Sequence, residues 1–279
     1  MIRVLAPAKV NLALHITGQR DDGYHELDSI VVLVDHGDIV TVSRSDVIEF
    51  AADGPFGDQV PLDNTNLVLR AVDWLSHWLG TPLTAKITLT KNLPSASGIG
   101  GGSSDAAATI KGLCRLYDIN PPAPHDLVRL GADVPVCMGH GVMRMRGIGE
   151  TITQMPLRPN MHLLLVNPRL GVHTPDVFRA ISQKNNPALV DAEPNFFNWI
   201  GAQRNDMQSA AINLVPVIHD VITSIAQTDS VVLARMSGSG ATCFGIYNDK
   251  DACSRAASRI NRTHPDWWVS TGQPILDVF

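Results

Sequence analysis

The segment with the most chemical information is residues 91–108, which read KNLPSASGIGGGSSDAAA. Its glycines are Gly98, Gly100, Gly101 and Gly102. Glycine permits positive φ angles and lets backbone N–H groups approach a bulky anion without interference from a Cβ atom. Ser103 and Ser104 follow where an N-cap is expected, and a helix N-terminus favours negative charge. The segment therefore predicts a cradle for a polyphosphate.

Two better-known phosphate loops do not fit this segment. A Walker A loop requires a lysine directly after its last glycine, and none follows Gly102. A dinucleotide fingerprint requires a third glycine where Ser103 stands. A flexible glycine linker is the remaining alternative. A linker, however, has no reason to be followed directly by an alanine-rich helix start.

The residues on either side of the glycines predict the elements that position them. A strand is indicated upstream by alternating apolar residues, and a helix downstream by apolar residues at helical spacing. The alternating residues are Ala85, Ile87 and Leu89, and the helically spaced ones are Ala107, Ile110, Cys114 and Tyr117. The glycines thus lie at a strand-to-helix turn.

Lys9 and Asp133 are the charged residues with the most unusual surroundings. Lys9 lies within the apolar, strand-like residues 2–16, where an ammonium is costly unless it meets an anion; the alternative is a lysine that snorkels from a sheet edge. Asn11 has the same parity, so both side chains project from one face. Asp133 is either a helix or turn cap, or a catalytic group. Paired with an ammonium such as Lys9, it would stay ionised and accept a proton from a substrate hydroxyl.

Two further segments are open to more than one interpretation. Residues 236–242, MSGSGAT, form a second glycine-serine turn between two predicted strands. They are either a tight hairpin or a source of further N–H groups for phosphates. Residues 22–26, DGYHE, begin with a turn signal. Tyr24 and His25 there either present aromatic faces to a planar base or belong to an ordinary surface loop.

Composition limits the class of protein. The 279 residues are 44% apolar and 18% charged, with a net charge of −5, as in a globular protein of two domains. No basic tract supports a general nucleic-acid binder, and no apolar run is long enough to cross a bilayer. The first residues contain no hydrophobic signal core, and the four cysteines are widely spaced. We expect a reduced, cytoplasmic protein with neither nucleic-acid nor membrane partners; the oligomeric state is not predicted.

The pattern of the chain predicts two domains, residues 1–155 and 156–279. In the first, we predict strands at 2–16, 27–34 and 39–42, a turn at 35–38, a helix at 66–79 with capping residues at 63–65, a short helix at 125–130, and a hairpin at 143–152. In the second, we predict strands at 162–166, 231–234 and 242–247, and helices at 174–183, 214–226 and 251–260. This second half is typical of an α+β sandwich with a mostly antiparallel sheet.

These segments, in this order, resemble the GHMP small-molecule kinases. The marks of that superfamily are the loop at residues 94–104 and the late Ser-Gly-Ser-Gly turn at 237–240. The likeness runs from about residue 4 to about residue 250. It implies an α+β, two-domain GHMP-kinase fold, with an N-terminal α/β domain that contains the glycine-rich phosphate loop and a C-terminal ferredoxin-like α/β sandwich.

The resemblance narrows further at residues 7–12, 22–25, 98–107 and 131–135. These match the members that phosphorylate, with ATP and Mg²⁺, the C2 hydroxyl of a methylerythritol bearing a cytidine diphosphate group, in non-mevalonate isoprenoid precursor biosynthesis. A GHMP kinase for homoserine, a mevalonate derivative or a sugar is the alternative, and the Asp-Gly-Tyr-His segment favours the cytidine-bearing substrate. A catalytically silent nucleotide-binding protein is a third reading, against which the presence of both Lys9 and Asp133 counts.

The resemblance also implies roles for individual residues. Lys9 and Asp133 take the catalytic positions, with Asp133 as the base and Lys9 as the cation that holds it ionised. The expected ATP-binding residues are Asn66, Pro94, Ser95, Ala96, Ser97, Gly98, Ile99, Gly100, Gly101, Gly102, Ser103 and Ser104. The expected substrate-binding residues are Asn11, Tyr24, His25, Phe178 and Gly238, with Phe178 as an aromatic partner for the base. No metal ligand is assigned, and residues 184–204 show no family pattern.

Overall fold

The structure is a computed structural model that describes residues 1–277, and the chain divides into two compact units. The first unit contains Met1–Ala8, Gly37–Ser95 and Gly100–Gly139. The second contains Lys9–His36, Ala96–Ile99 and the chain from His140 onward. Among residues 1–277, no helix combines the length and the apolar character needed to span a membrane.

Two long strands begin the chain, β1 at Ile2–Gln19 and β2 at His25–Ser43. The predicted turn at residues 35–38 is wrong, because β2 continues through it. Asp38, one of the polar residues that suggested a turn, makes contacts with residues distant in the sequence instead. Asp38 is buried and accepts backbone N–H groups from residues 92 and 93. Gly37 is needed because a Cβ there would lie 2.1 Å from the carbonyl oxygen of Ala6.

In the first unit, strand β3 at Glu49–Asp53 pairs in parallel with β4 at Lys86–Thr90, which pairs antiparallel with the end of β2. The helices are α1 at Leu67–Leu79, α2 at Gly101–Tyr117 and the single turn α3 at Val134–Cys137, which follows a 3₁₀ segment at Pro124–Arg129. Asn66, rather than residues 63–65, caps α1, since its side chain accepts the N–H of Val68 at 2.9 Å. Strand β3 was not predicted.

In the second unit, β5 at Val142–Gly147 and β6 at Thr151–Met155 form the predicted hairpin, and β5 also pairs with the first part of β2. A four-stranded antiparallel sheet contains β7 at His162–Asn167, β8 at Val231–Met236, β9 at Cys243–Tyr247 and β10 at Trp268–Gly272, in the order β10-β7-β9-β8. The predicted antiparallel sandwich is confirmed here.

The helices of the second unit differ in detail from the prediction. They are α4 at Thr174–Ala180, α5 at Phe196–Gly201, α6 at Gln208–Leu214, α7 at Val217–Ala226 and α8 at Lys250–Thr263. The helix predicted from residue 214 begins at Val217, because Pro216 takes its N-cap and α6 ends before it. Helix α4 ends three residues early, and α5, α6 and β10 were not predicted. Residues of β7, β9, α7 and α8 form a common apolar core.

Candidate active site

Helix α2 begins without a side-chain cap. Its N-cap is Gly100, with φ of +64°, so the prediction that Ser103 or Ser104 caps the helix is wrong; both lie inside the first turn. Since glycine has no side chain, the N-cap residue itself supplies no side-chain oxygen for the first N–H groups of α2. The first amide groups of a helix have no intrahelical partner, and they attract anions. The predicted strand–loop–helix arrangement is confirmed, with β4 before the loop and α2 after it.

Within the second unit, the two glycine-serine turns pack against each other. Gly98 has φ of +75°, and a Cβ there would lie 2.6 Å from the carbonyl oxygen of Ser237. The Ser237 hydroxyl donates to the carbonyl of Gly98 at 3.1 Å, and the N–H of Thr242 donates to the carbonyl of Ser97 at 3.0 Å. Residues 237–242 also connect the paired strands β8 and β9. The turn is therefore both a hairpin connection and a wall of the glycine-rich loop.

Ser103 and Ser104, the two serines that follow the glycines, have different surroundings in the first unit. Ser104 is fully buried, and its hydroxyl donates to the carbonyl of Pro7 at 2.7 Å. Ser103 is half-buried, and its hydroxyl lies 3.9 Å from the position that a Cβ would take on Gly131. Ser104 thus anchors α2 to β1, whereas Ser103 lies beside the turn that precedes Asp133.

Lys9 lies on β1 in the second unit and is only 4% exposed. Its burial contradicts the snorkelling alternative, which requires a side chain that reaches solvent. The backbone N–H of Lys9 donates to the carbonyl of Ile99 at 2.9 Å. Strand β1 therefore holds Ile99, the last residue of the segment Ala96–Ile99 of the same unit.

Asp133 lies in the first unit, at the N-cap position of α3, and is half-buried. Its carboxylate makes no side-chain capping hydrogen bond to that helix. At the other end of α3, the ammonium of Lys111 donates to the carbonyl of Cys137 at 3.0 Å. Lys111 extends from α2, so the glycine-loop helix fixes the turn that presents Asp133.

Asn11 and Gly238 lie close together in the second unit. Asn11 is fully buried, and its amide group donates to the Ser29 hydroxyl at 2.8 Å. Its Oδ1 atom is buried without a hydrogen-bond partner. A Cβ on Gly238 would lie 3.4 Å from that oxygen, so the glycine keeps the space beside it open. A buried acceptor without a protein partner is unusual in native proteins, so this oxygen is a candidate for a contact with a bound group.

The aromatic residues of the predicted base pocket also lie in the second unit. The ring of His25 stacks on Phe178, with centroids 4.7 Å apart and planes at 18°. Tyr24 is 61% exposed. The Nε2 atom of His25 is buried without a partner, and burial, followed by the charge of Lys184, lowers the pKa of His25. The ring of Phe178 therefore packs directly against the ring of His25.

Two supporting residues were missed by sequence reasoning. Asn205 donates to the carbonyls of Met236 and Gly238 at 2.9 and 2.8 Å, which holds the second glycine turn in place. Arg235 is buried, and its guanidinium donates to the carbonyl of Leu12 at 2.7 Å. Burial lowers the pKa of Arg235 to about 10. Each is a single polar residue in the sequence, with no motif that signals its contacts.

The donor set suits phosphates better than a protein-held metal. Among residues 1–277, no group of three or more His, Cys, Asp or Glu side chains could hold a metal ion. Mg²⁺ usually binds through substrate phosphates and water with only one or two protein ligands, so it does not require such a group. The uncapped start of α2 and the positive φ angles of Gly98 and Gly100 fit a polyphosphate. The residues therefore fit the phosphates of a nucleotide such as ATP.

Comparisons with known proteins agree with this geometry. Residues 66–144 match the GHMP kinases N terminal domain, and residues 192–266 match the GHMP kinases C terminal family. A 4-diphosphocytidyl-2-C-methyl-D-erythritol kinase from Roseobacter denitrificans is 46% identical, over 98% of this chain and 93% of that protein. The protein of the same name from Paramagnetospirillum magneticum is 44% identical, over 96% of each chain.

Solved structures give the same result. The crystal structure of a 4-(cytidine 5'-diphospho)-2C-methyl-D-erythritol kinase has a TM-score of 0.80 and 31% identity, over 98% of this chain and 100% of that one. A homoserine kinase from Cytophaga hutchinsonii has a TM-score of 0.73 at 16% identity, over 99% of this chain and 95% of that one, which shows a shared fold. The α+β, two-domain GHMP-kinase fold is thereby confirmed. The chain belongs to the GHMP kinases and, within them, to the family of 4-diphosphocytidyl-2-C-methyl-D-erythritol kinases.

Proposed function

We propose that the chain transfers the γ-phosphoryl group of ATP to the C2 hydroxyl of 4-diphosphocytidyl-2-C-methyl-D-erythritol, giving the 2-phosphate and ADP. This step belongs to non-mevalonate isoprenoid precursor biosynthesis. Relatives of that name at 44–46% identity over nearly the whole chain support the proposal. The structural observation that carries it is the pair of buried, unpartnered atoms Asn11 Oδ1 and His25 Nε2, in two residues expected to bind the cytidine-bearing substrate.

The nucleotide is assigned to the glycine-rich loop. Phosphoryl transfer depends mainly on positioning and on electrostatic stabilisation. Residues 94–104 and the uncapped start of α2 supply backbone N–H groups for the phosphates, and Asn66 precedes α1, whose first residue packs beside Gly102. Mg²⁺ would neutralise phosphate charge when bound. Of the two serines in the first turn of α2, Ser103 is half-buried, whereas Ser104 is fully buried.

The chemical roles are assigned to Asp133 and Lys9. Asp133 accepts the proton of the C2 hydroxyl as that oxygen attacks the γ-phosphorus atom, and the bond from the γ-phosphorus to the bridging oxygen of ADP breaks. Lys9 stabilises the charge that develops near the γ-phosphate. The burial of the Lys9 side chain supports a role inside the protein.

A panel of acceptors tests the substrate. The wild-type protein with ATP and Mg²⁺ is given the cytidyl substrate, homoserine, mevalonate or a sugar, and ADP release is measured. We expect release above background only with the cytidyl substrate. Equal or greater release with another acceptor would make the protein a different GHMP kinase, which is the second candidate.

The lowered pKa of His25 leads to a separate prediction about substrate binding. Because its pKa lies below the ordinary value of 6.5, the imidazole is neutral at pH 7 and offers its free nitrogen. We expect the KM for the cytidyl substrate to stay constant from about pH 8 to about pH 6.5 and to rise as the pH falls further. His25→Gln removes the titrating group, so its KM, although higher, should lose this rise. A rise of equal size in that variant would contradict the assignment.

The domain boundary stays a proposal. We divide the N- and C-terminal domains between residues 155 and 156. Strand β6 ends at Met155, and β7 begins at His162. Limited proteolysis that cuts first at residues 156–161 supports this division. A first cut within either domain argues against it.

A further inference from the structure

The first unit contains a buried cluster of charged side chains that is separate from the residues assigned to ATP, to the substrate and to proton transfer. Its members are Lys91, Asp38 and Asp105. Lys91 is 5% exposed, and its ammonium donates to Oδ2 of Asp38 at 2.5 Å and to Oδ2 of Asp105 at 2.7 Å. Charges are costly to bury unless they are paired and hydrogen-bonded. A buried salt bridge is weak evidence for a contribution to stability. We therefore ask whether the cluster fixes a specific arrangement of the backbone.

The cluster joins the two ends of the glycine-rich loop. Lys91 directly follows β4, and Asp105 lies in the second turn of α2. The bridge between them therefore closes the segment that runs from residue 92 to residue 104. Asp38, on β2, uses its other oxygen, Oδ1, to accept the N–H groups of Asn92 at 2.6 Å and Leu93 at 2.8 Å. One carboxylate thus holds the first residues of the loop, and the other holds the helix that follows it.

The ammonium of Lys91 also lies directly against the helix start. A Cβ on Gly101, the first residue of α2, would be 3.1 Å from Nζ of Lys91 and 3.8 Å from Oδ2 of Asp38. A larger residue would have to displace one of these groups. The position of the first N–H groups of α2 therefore depends on the position of the Lys91 ammonium.

The two carboxylates contribute differently. Burial raises the pKa of Asp105 to about 7, the nearby charge of Lys91 lowers it, and that of Asp38 raises it. No charged group of α1, which packs along α2, acts on it. Burial alone would lower the pKa of Lys91, but the two carboxylates raise it above its ordinary value. Oδ1 of Asp105 is buried without a partner. Lys91 is therefore charged, and Asp105 serves mainly as a hydrogen-bond acceptor.

We propose that Lys91 is a positioning residue for nucleotide binding: by bridging Asp38 and Asp105, it sets the separation of the two ends of the glycine-rich loop and holds the N–H groups at the start of α2 in place for phosphates. This inference rests on the proposed function, since it assumes that the loop binds ATP. It assigns no contact between Lys91 and the nucleotide.

The test compares ADP affinity with folding stability in purified variants. ADP binding is measured by calorimetry, and stability is measured by thermal unfolding without ligand. We expect Lys91→Met to weaken ADP binding by about tenfold or more, with an equal rise in the KM for ATP and an unchanged KM for the cytidyl substrate. Asp105→Ala should also weaken ADP binding, whereas Asp105→Asn, which keeps an acceptor for Lys91, should retain wild-type affinity.

The control is a part-buried ion pair of the second unit. Arg144 donates to Asp28 at 2.8 and 2.7 Å, so Arg144→Met breaks an ion pair that contains no member of this cluster. It should lower the unfolding temperature without changing ADP affinity. If Lys91→Met does not fold, Asp105→Ala tests the same bridge, because it leaves the pair of Lys91 and Asp38 in place.

The outcomes separate this inference from the proposed function. Wild-type protein that does not bind ADP would overturn the proposed function. Wild-type protein that binds, together with Lys91→Met and Asp105→Ala variants that lose stability but keep ADP affinity within about twofold, would overturn only the positioning role. Equal weakening in Arg144→Met would do the same, because the effect would then follow from general destabilisation.

Discussion

Replacing Asp133 with alanine is expected to lower kcat by about 10²–10⁴-fold, because general-base help from a positioned side chain contributes about that much to a rate. The carboxylate is half-buried at the start of α3 and makes no capping bond with that helix. ADP affinity should stay within about twofold of the wild-type value, since the loop that we assign to the phosphates is left intact.

The measurement is kcat by ADP release with saturating ATP and cytidyl substrate, beside ADP binding by calorimetry. Asp126→Ala is the matched control, because Asp126 is a half-buried carboxylate of the preceding 3₁₀ segment whose ion pair goes to the exposed His125. It should keep wild-type kcat. A near-normal kcat in Asp133→Ala would show that another group accepts the proton.

Gly98→Ala is expected to destabilise the protein by about 2–5 kcal/mol and to weaken nucleotide binding. The left-handed backbone at Gly98, with φ of +75°, costs a residue with a Cβ about 1–2 kcal/mol. The new Cβ would also lie 2.6 Å from the Ser237 carbonyl oxygen and 2.7 Å from the Gly240 nitrogen. Relieving an overlap of this kind costs about 1–3 kcal/mol more. The backbone must shift, because neither neighbouring atom belongs to a flexible side chain.

Gly80→Ala separates the two costs. Gly80, the C-cap of α1, has φ of +67°, but no atom lies within 4 Å of its Cβ position. Gly80→Ala should therefore lose only the about 1–2 kcal/mol of the left-handed backbone and keep wild-type ADP affinity. Chemical denaturation gives the two free energies of unfolding, and calorimetry gives the affinities. Equal destabilisation in the two variants, with normal ADP binding in both, would refute the close packing of the loop against residues 237–242.

Some features of the fold follow from local pattern. Ala85, Ile87 and Leu89 predicted the strand that became β4, and the helically spaced residues after the glycines predicted α2. Strand alternation and helical spacing are properties of neighbouring residues, so they are visible in the chain itself. The hairpin of β5 and β6 and the antiparallel second sheet were predictable for the same reason.

Other features depend on partners far away in the sequence. Residues 35–38 have the composition of a turn, yet they continue β2 because Asp38 finds the N–H groups of residues 92 and 93. Ser104 suggests an N-cap, but its hydroxyl donates to the carbonyl of Pro7, and Gly100 takes the cap. Local preference favours one structure in each case, and a distant hydrogen bond stabilises another.

By itself, the amino-acid order determined the kind of chemistry: a glycine-rich strand-to-helix turn for phosphates, an isolated lysine and aspartate, and a turn with adjacent aromatic residues. Backbone freedom, charge and periodicity are written into residue type and spacing. Only the tertiary structure decided which polar atoms remain without partners, such as Oδ1 of Asn11, and that Lys91 bridges two carboxylates beneath α2. Burial and hydrogen-bond satisfaction depend on what the rest of the chain brings alongside a residue.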